Sequence, residues 1–307
     1  MIYWIERDTK EMKAMETATP ARSRTTPTLI LVVLILAAVL AAMIFMCRPY
    51  FGEEETVAPT AAPTTEPTEE PTEPPTEPEP TEPPADPNPY GIYDFQFEGK
   101  YLKLLEGESI TGIDVSHYQG TVDWQKVKES GVEFVIIRLV YRGYSVGSIM
   151  EDPNFAVNFQ GAKDAGLKVG VYFFSQAVSV EEAQEEADFV LEKLAGAELE
   201  MPIVYDWEYI SDTARTANVD RRTLTDCSLA FLQKVEEAGY WPMLYFNTLQ
   251  SRKMLYLNEL NQYDFWLALY SHRMTFPYKI KMWQYTCEGR VPGIEGNVDI
   301  NVFFPET

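Results

Sequence analysis

The stretch Phe155–Phe174, FAVNFQGAKDAGLKVGVYFF, contains in one line the pattern that decides the fold. From Phe155 to Ala165 apolar residues recur at helical spacing; Gly166 follows, and Lys168–Phe174 is an almost unbroken apolar run of strand length. A glycine directly after a helix takes up the left-handed backbone that closes it, at no cost from a side chain. The stretch therefore reads as helix, stop, strand. A strand without polar alternation is buried on both faces, which is the signature of a parallel sheet covered by helices.

Outward from this unit the pattern repeats. Further amphipathic runs are Trp124–Glu129, Val180–Leu194 and Leu224–Ala238, and Gly131 and Gly239 stand like Gly166 just ahead of a strand. The candidate strands are Gly112–Val115, Glu133–Leu139, Lys168–Phe174, Pro202–Trp207, Pro242–Asn247, Phe265–Leu269, Ile280–Tyr285 and Asn297–Val302. Strand, helix, glycine, strand units in this number predict an α/β chain with a parallel sheet closed into a β/α barrel. Connections shorten in the second half, so the barrel is expected to be irregular there. Ahead of it, residues 90–109 alternate around Glu98-Gly99 and predict a lead-in hairpin.

In such barrels the reactive groups collect at the C-terminal ends of the strands. The fourth strand ends in MPIVYDWEY, Met201–Tyr209. Side chains two apart in a strand share a face, so Asp206 and Glu208 point into one pocket while Trp207 points away into packing. Asp114 ends the first strand and Asp299 lies in the last, which brings four acids to one rim. Crowded or desolvated carboxylates bind protons more tightly, and an acid that keeps its proton beside an ionised neighbour is what cleavage of a glycosidic bond requires. Taken alone, the pair also fits two solvated acids at a strand end. Tyr172, Tyr245, Trp266, Tyr270 and Trp283, with Gln284, lie on strands opening onto the same rim; they either stack on sugar rings or fill the barrel. Arg138 serves an internal ion pair or the substrate. The Glu181–Glu186 run reads as a solvated helix face.

His117 and His272 are the only histidines, too few for an ordinary metal site, and no metal or other cofactor is expected. Cys47, Cys227 and Cys287 have no close-spaced metal or redox pattern; Cys227 and Cys287 are either two thiols or one disulfide. A net charge of −22 argues against nucleic acid as a partner, although half of it comes from the ten Glu and Asp86 of residues 53–89, a tract without Lys or Arg.

Residues 1–28 form a polar tail, expected to be cytoplasmic, with Arg22 and Arg24 just before the apolar run Leu29–Met46, LILVVLILAAVLAAMIFM. At 1.5 Å per residue that run is about 27 Å long, close to a bilayer's hydrocarbon thickness. Residues 29–47 are read as an uncleaved, single-pass transmembrane helix; a cleaved signal is the alternative. Residues 48–89, rich in repeats such as TEEPTEPPTEPEPTEPP, read as a disordered, extended spacer reaching on the order of 100 Å.

Residues 110–307 resemble the glycoside hydrolase family 25 lysozymes, the N-acetylmuramidases. The resemblance rests on GIDVSHYQG (Gly112–Gly120), VDW (Val122–Trp124), FVIIR (Phe134–Arg138), DPNF (Asp152–Phe155) with Asn158, and AGLKVGVYFF (Ala165–Phe174). It continues through IVYDWE (Ile203–Glu208), FWLALY (Phe265–Tyr270), WQYT (Trp283–Thr286) and VPGIEGNVDIN (Val291–Asn301). It implies hydrolysis of the β-1,4 bond between N-acetylmuramic acid and N-acetylglucosamine in peptidoglycan strands, with Glu208 as general acid and Asp206 as the second carboxylate. Asp206 either steers the substrate's acetamido group or attacks the sugar itself; Asp114 and Asp299 match supporting acids. A catalytically idle wall-binding module and a chitinase-like hydrolase are the competing readings. The chain departs from the family at Phe173, where many members carry histidine, and at Leu269, where arginine or glutamine is frequent; both departures are expected to touch subsite affinity. A monomer held at the cell membrane, with the catalytic domain in the wall, completes the expectation.

Overall fold

Residues 83–305 are described by the computed structural model. The expected tail, the apolar run 29–47 and all but the end of the spacer lie outside the described residues. Among the described residues no helix is long and apolar enough to cross a membrane.

The chain enters through a hairpin of β1 (Phe95–Glu98) and β2 (Tyr101–Leu104), turning at Gly99 with φ 63°. The barrel strands follow: β3 (Ile110–Val115), β4 (Phe134–Arg142), β6 (Lys168–Ser175), β7 (Ile203–Trp207), β8 (Pro242–Asn247), β9 (Asp264–Ala268), β10 (Met282–Gly289) and β11 (Val298–Phe303). A short β5 (Ile149–Glu151) folds back on β4 as an extra edge. Neighbours run β3-β11-β10-β9-β8-β7-β6-β4, and pairing of β3 with β4 closes the ring.

The helices are α1 (Trp124–Glu129), α2 (Phe155–Asp164), α3 (Val180–Leu194), α4 (Arg221–Glu237) and the short α5 (Thr248–Lys253) and α6 (Leu257–Leu260). Asp123, Ser179 and Asp220 cap α1, α3 and α4 by accepting from backbone N–H groups of the first turn. Gly131, Gly166 and Gly239 have φ of 97°, 73° and 82°, the left-handed geometry their positions require.

The expected all-parallel barrel is corrected at its last strand. β11 runs antiparallel to both β10 and β3. Only residues 290–297 separate β10 from β11, too few for a helical crossover, so the chain must turn back on itself. Because β11 is reversed, its beginning meets the rim where the other strands end. Asp299 thus pairs in register with Asp114.

Alternation sorts the core into two sets. Ile137, Val171, Ile203, Tyr205 and Leu244 face outward and pack with Ala183, Val190, Phe231 and Leu232 of the helices. Ile136, Val204, Met243, Trp266 and Met282 form a separate cluster with no helical member, which fills the barrel interior.

Two further expectations change, and the open choice at Cys227 and Cys287 is decided. Residues 83–89 do not all behave as free spacer: Asn88 N–H donates to Pro277 O (2.8 Å), its side chain to Phe276 O (2.9 Å), and Asp86 pairs with Lys279 (3.3 Å). Glu186 is not part of a solvated helix face but fully buried, accepting from Arg142 Nε (2.6 Å) and Ser175 Oγ (2.6 Å). Burial pushes its carboxyl up to about 7, against the hydrogen bond from Ser175 and the charge of Arg142. Of the two readings for Cys227 and Cys287, two free thiols is the one observed.

Candidate active site

The rim is built around Asp114. One of its oxygens accepts hydrogen bonds from Asn301 Nδ2 (2.7 Å) and Gln284 Nε2 (3.0 Å). Gln284 Oε1 in turn accepts from the hydroxyls of Tyr245 (3.0 Å) and Tyr270 (3.1 Å), and Asn301 Oδ1 from Trp266 Nε1 (2.9 Å). Each amide has its oxygen occupied by donors, so its nitrogen is committed to Asp114. Burial pushes the Asp114 carboxyl up to about 6, with the two amide hydrogen bonds holding it down against that push. Across the strand pair, Asp299 is raised well above the usual carboxylate range, first by burial and then by the charges of Asp114 and Glu208. The neutral form of at least one acid is therefore favoured at this rim.

β7 delivers the other two acids. Tyr205 and Trp207 face the outer core, and Trp207 Nε1 donates to Ala177 O (2.9 Å). Val204 faces the interior, so Asp206 and Glu208 follow it onto the rim, Asp206 buried and Glu208 half-buried. Asp114, Asp206, Glu208 and Asp299 line a single cleft with Arg138, Tyr172, Tyr245, Trp266, Tyr270 and Gln284.

Trp283 is not in that cleft. Its neighbours Met282 and Gln284 face the interior, and adjacent residues of a strand face opposite ways. It is buried outside the barrel under the hairpin, with Phe95 at a ring-centroid distance of 5.0 Å and its Nε1 donating to Leu269 O (2.8 Å). The same alternation removes the concern over Phe173 and Leu269. Phe173 packs outward near Phe231, with ring centroids 6.3 Å apart, and Leu269 packs against the outer cluster.

Arg138 lines the cleft and also forms the internal ion pair: its Nε donates to Asp152 Oδ2 (2.8 Å), and its guanidinium lies 5.2 Å and 5.1 Å from the ring centroids of Tyr118 and Tyr141. Burial works to raise the Asp152 carboxyl, but the hydrogen bond from His117, the Arg138 charge and two backbone N–H groups outweigh it and hold Asp152 at about 2. Sequence reasoning missed Asn301 and Tyr118 as members of the site. Asn301 carried a usable signal, since it lies two residues after Asp299 on the same strand face. Tyr118 lies beyond the end of β3 in a one-turn 3-10 helix, where no periodicity applies.

Residues 113–294 match the family model described as Glycosyl hydrolases family 25. Among curated proteins, the chain is 29% identical over 206 residues to the uncharacterized protein YegX of Escherichia coli K12, covering 66% of this chain and 72% of that one. It is 26% identical over 207 residues to lysozyme M1 of Streptomyces globisporus, covering 63% and 67%. Among solved structures, the modular autolysin LytC of Streptococcus pneumoniae matches at 28% identity with a TM-score of 0.56, over 64% of this chain and 47% of that one. The chain thus spans about half the length of LytC, which has also been solved in complex with a synthetic peptidoglycan ligand.

Proposed function

This chain belongs to glycosyl hydrolases family 25 and is a glycoside hydrolase, and from that premise we propose that it is a muramidase cutting the β-1,4 bond between N-acetylmuramic acid and N-acetylglucosamine in peptidoglycan. The observation carrying this reading is the meeting of Asp206 and Glu208 with Asp114 and Asp299 in one tyrosine-lined cleft. Glu208, half-buried where β7 ends, donates the proton to the leaving sugar oxygen and later takes one from the attacking water. Asp206, deeper in the cleft, orients the substrate's acetamido group as its oxygen attacks the anomeric carbon, one of the exceptions to the two-carboxylate scheme. Asp114 and Asp299 supply the acidic surroundings and hydrogen-bonding positions for sugar hydroxyls, while Tyr172 and Tyr270 offer ring faces to the glycan and Trp266, buried beneath them, fills the barrel.

The active form is read as a monomer, since this chain by itself brings the four acids and the tyrosines together in the cleft. Residues 29–47 anchor it in the cell membrane with the N-terminus in the cytoplasm, and the spacer carries the domain into the cell's own wall. Support for the anchor is the 18-residue apolar run and the basic residues preceding it.

Full-length protein assayed on peptidoglycan and on chitin tests the activity. Release of soluble muropeptides with intact chitin is the expected result. Cleavage of chitin at a comparable rate, or binding of peptidoglycan without cleavage, would replace this reading with a chitinase-like enzyme or an idle binding module. For the anchor, the protein is expected in the membrane fraction and to leave it with detergent; recovery in the medium contradicts tethering.

A further inference from the structure

Glu208 lies just past the last hydrogen-bonded residue of β7, where the ladder to β6 and β8 no longer holds the backbone. Two buried glutamines take over at this point. Gln176, directly after β6, donates from Nε2 to Glu208 O (2.7 Å) and to Ser175 O (2.8 Å). Gln250, in α5, donates from Nε2 to Trp207 O. The two consecutive carbonyls that flank the Glu208 Cα, that of Trp207 before it and its own after it, are thereby gripped from two directions.

Chemistry fixes which way each amide points. Gln250 Oε1 accepts from Asn247 N–H (2.9 Å), which can only donate, so the Gln250 nitrogen must be the end that reaches Trp207 O. The Gln176 nitrogen faces two carbonyls, which can only accept, and its Oε1 accepts from Thr216 Oγ1 (3.2 Å). Both side chains are almost wholly excluded from water, 0% exposed for Gln176 and 3% for Gln250, so a lost bond there has no solvent substitute. Gln176 is itself tied down through Arg215, whose Nη1 donates to Gln176 O (2.6 Å) and to Glu182 Oε2 (2.8 Å) on α3.

We propose that Gln176 and Gln250 are positioning residues for the proton donor: by holding the carbonyls of Glu208 and Trp207 they fix the Glu208 carboxyl against the leaving oxygen. The inference rests on the assignment of Glu208 as general acid. A displaced proton donor costs rate while leaving most substrate contacts in place, and the cost vanishes when the leaving group needs no proton.

Gln176→Met and Gln250→Met keep the side-chain length and remove the donor. On glycan strands each is expected to lower kcat about ten-fold with KM within two-fold of wild type. On the 4-nitrophenyl glycoside of the N-acetylglucosaminyl-N-acetylmuramic acid disaccharide, first-turnover release of nitrophenolate is expected to stay within two-fold. Thr216→Val, which frees the far end of Gln176 and leaves both carbonyl contacts, is expected to show the same selectivity at about two- to three-fold, and serves if a methionine variant fails to fold. Equal loss on both substrates, a rise in KM alone, or unchanged kcat with a lowered melting temperature would overturn the proposal. Glu208→Gln is run alongside: wild-type activity in that variant overturns the functional reading itself. An inactive Glu208→Gln beside fully active glutamine variants overturns only this inference.

Discussion

Asp114 is expensive to ionise, and the cost fixes a pH dependence. Its carboxyl rises from 3.8 to about 6 in the folded protein, so between those values the folded state holds more protons than the unfolded one. Stability is then highest near pH 4 and falls as pH rises through about 6, by on the order of 3 kcal/mol from this group. Asp299, raised in the same direction, adds to it. Asp114→Asn is expected to melt higher than wild type at pH 7 and to flatten the profile between pH 4 and 6, while losing activity; melting curves across that range check this. Asp152 behaves oppositely. Held at about 2, it contributes stability above pH 4 that disappears as pH falls through 2. Its loss in Asp152→Asn strips the buried Arg138 of its carboxylate, for which destabilisation on the order of 3 kcal/mol at neutral pH is expected in denaturant titrations. At this scale the sequence was readable where the two-residue period applied. Asp206 and Glu208 could be paired from it, and the same period should have separated Trp283 from Gln284. Gln176 and Gln250 gave no signal, because they act on backbone carbonyls brought near them only by the closed barrel.

Where an apolar run met a glycine, the boundary beside the glycine was legible to within a residue, whereas far ends could be missed: β4 runs three residues past its expected end and α4 starts three before its expected beginning. α1 and α3 have the expected limits, and β6 and α2 each differ by one residue. The direction of β11 was not legible from residue type, since a strand's pattern reads the same both ways, but the shortness of the 290–297 connection contained it. Nor were α5 and α6, too short to show a helical stripe. Two glycines separate backbone strain from crowding. A Cβ at Gly166 meets nothing within 4 Å, so Gly166→Ala is expected to cost only the left-handed backbone, about 1–2 kcal/mol. At Gly170 a Cβ would lie 2.6 Å from Pro202 O on the neighbouring chain segment. Backbone cannot swing aside, so Gly170→Ala is expected to be the more damaging of the two, and parallel thermal melts decide the order.

Taken whole, the molecule separates its stabilising and reactive surfaces. The β1–β2 hairpin buries Phe95 and Leu102 against the outside of the barrel, on Trp283 and Tyr285, and none of its residues lines the acid cleft. Removing residues 90–109 is expected to lower the melting temperature by roughly 10 °C while leaving kcat per folded molecule near wild type; a large fall in kcat at a temperature where the truncated protein is folded would show that the hairpin serves the site. The central claim, that Glu208 protonates the oxygen leaving N-acetylmuramic acid, is tested most directly by analysing reducing ends in peptidoglycan digested by wild type and by Glu208→Gln. New reducing ends on N-acetylmuramic acid from wild type, with a rate reduced by about 10²–10⁴-fold in a Glu208→Gln protein of unchanged melting temperature, are the expected result. Reducing ends on N-acetylglucosamine, or a Glu208→Gln variant as fast as wild type, would contradict it.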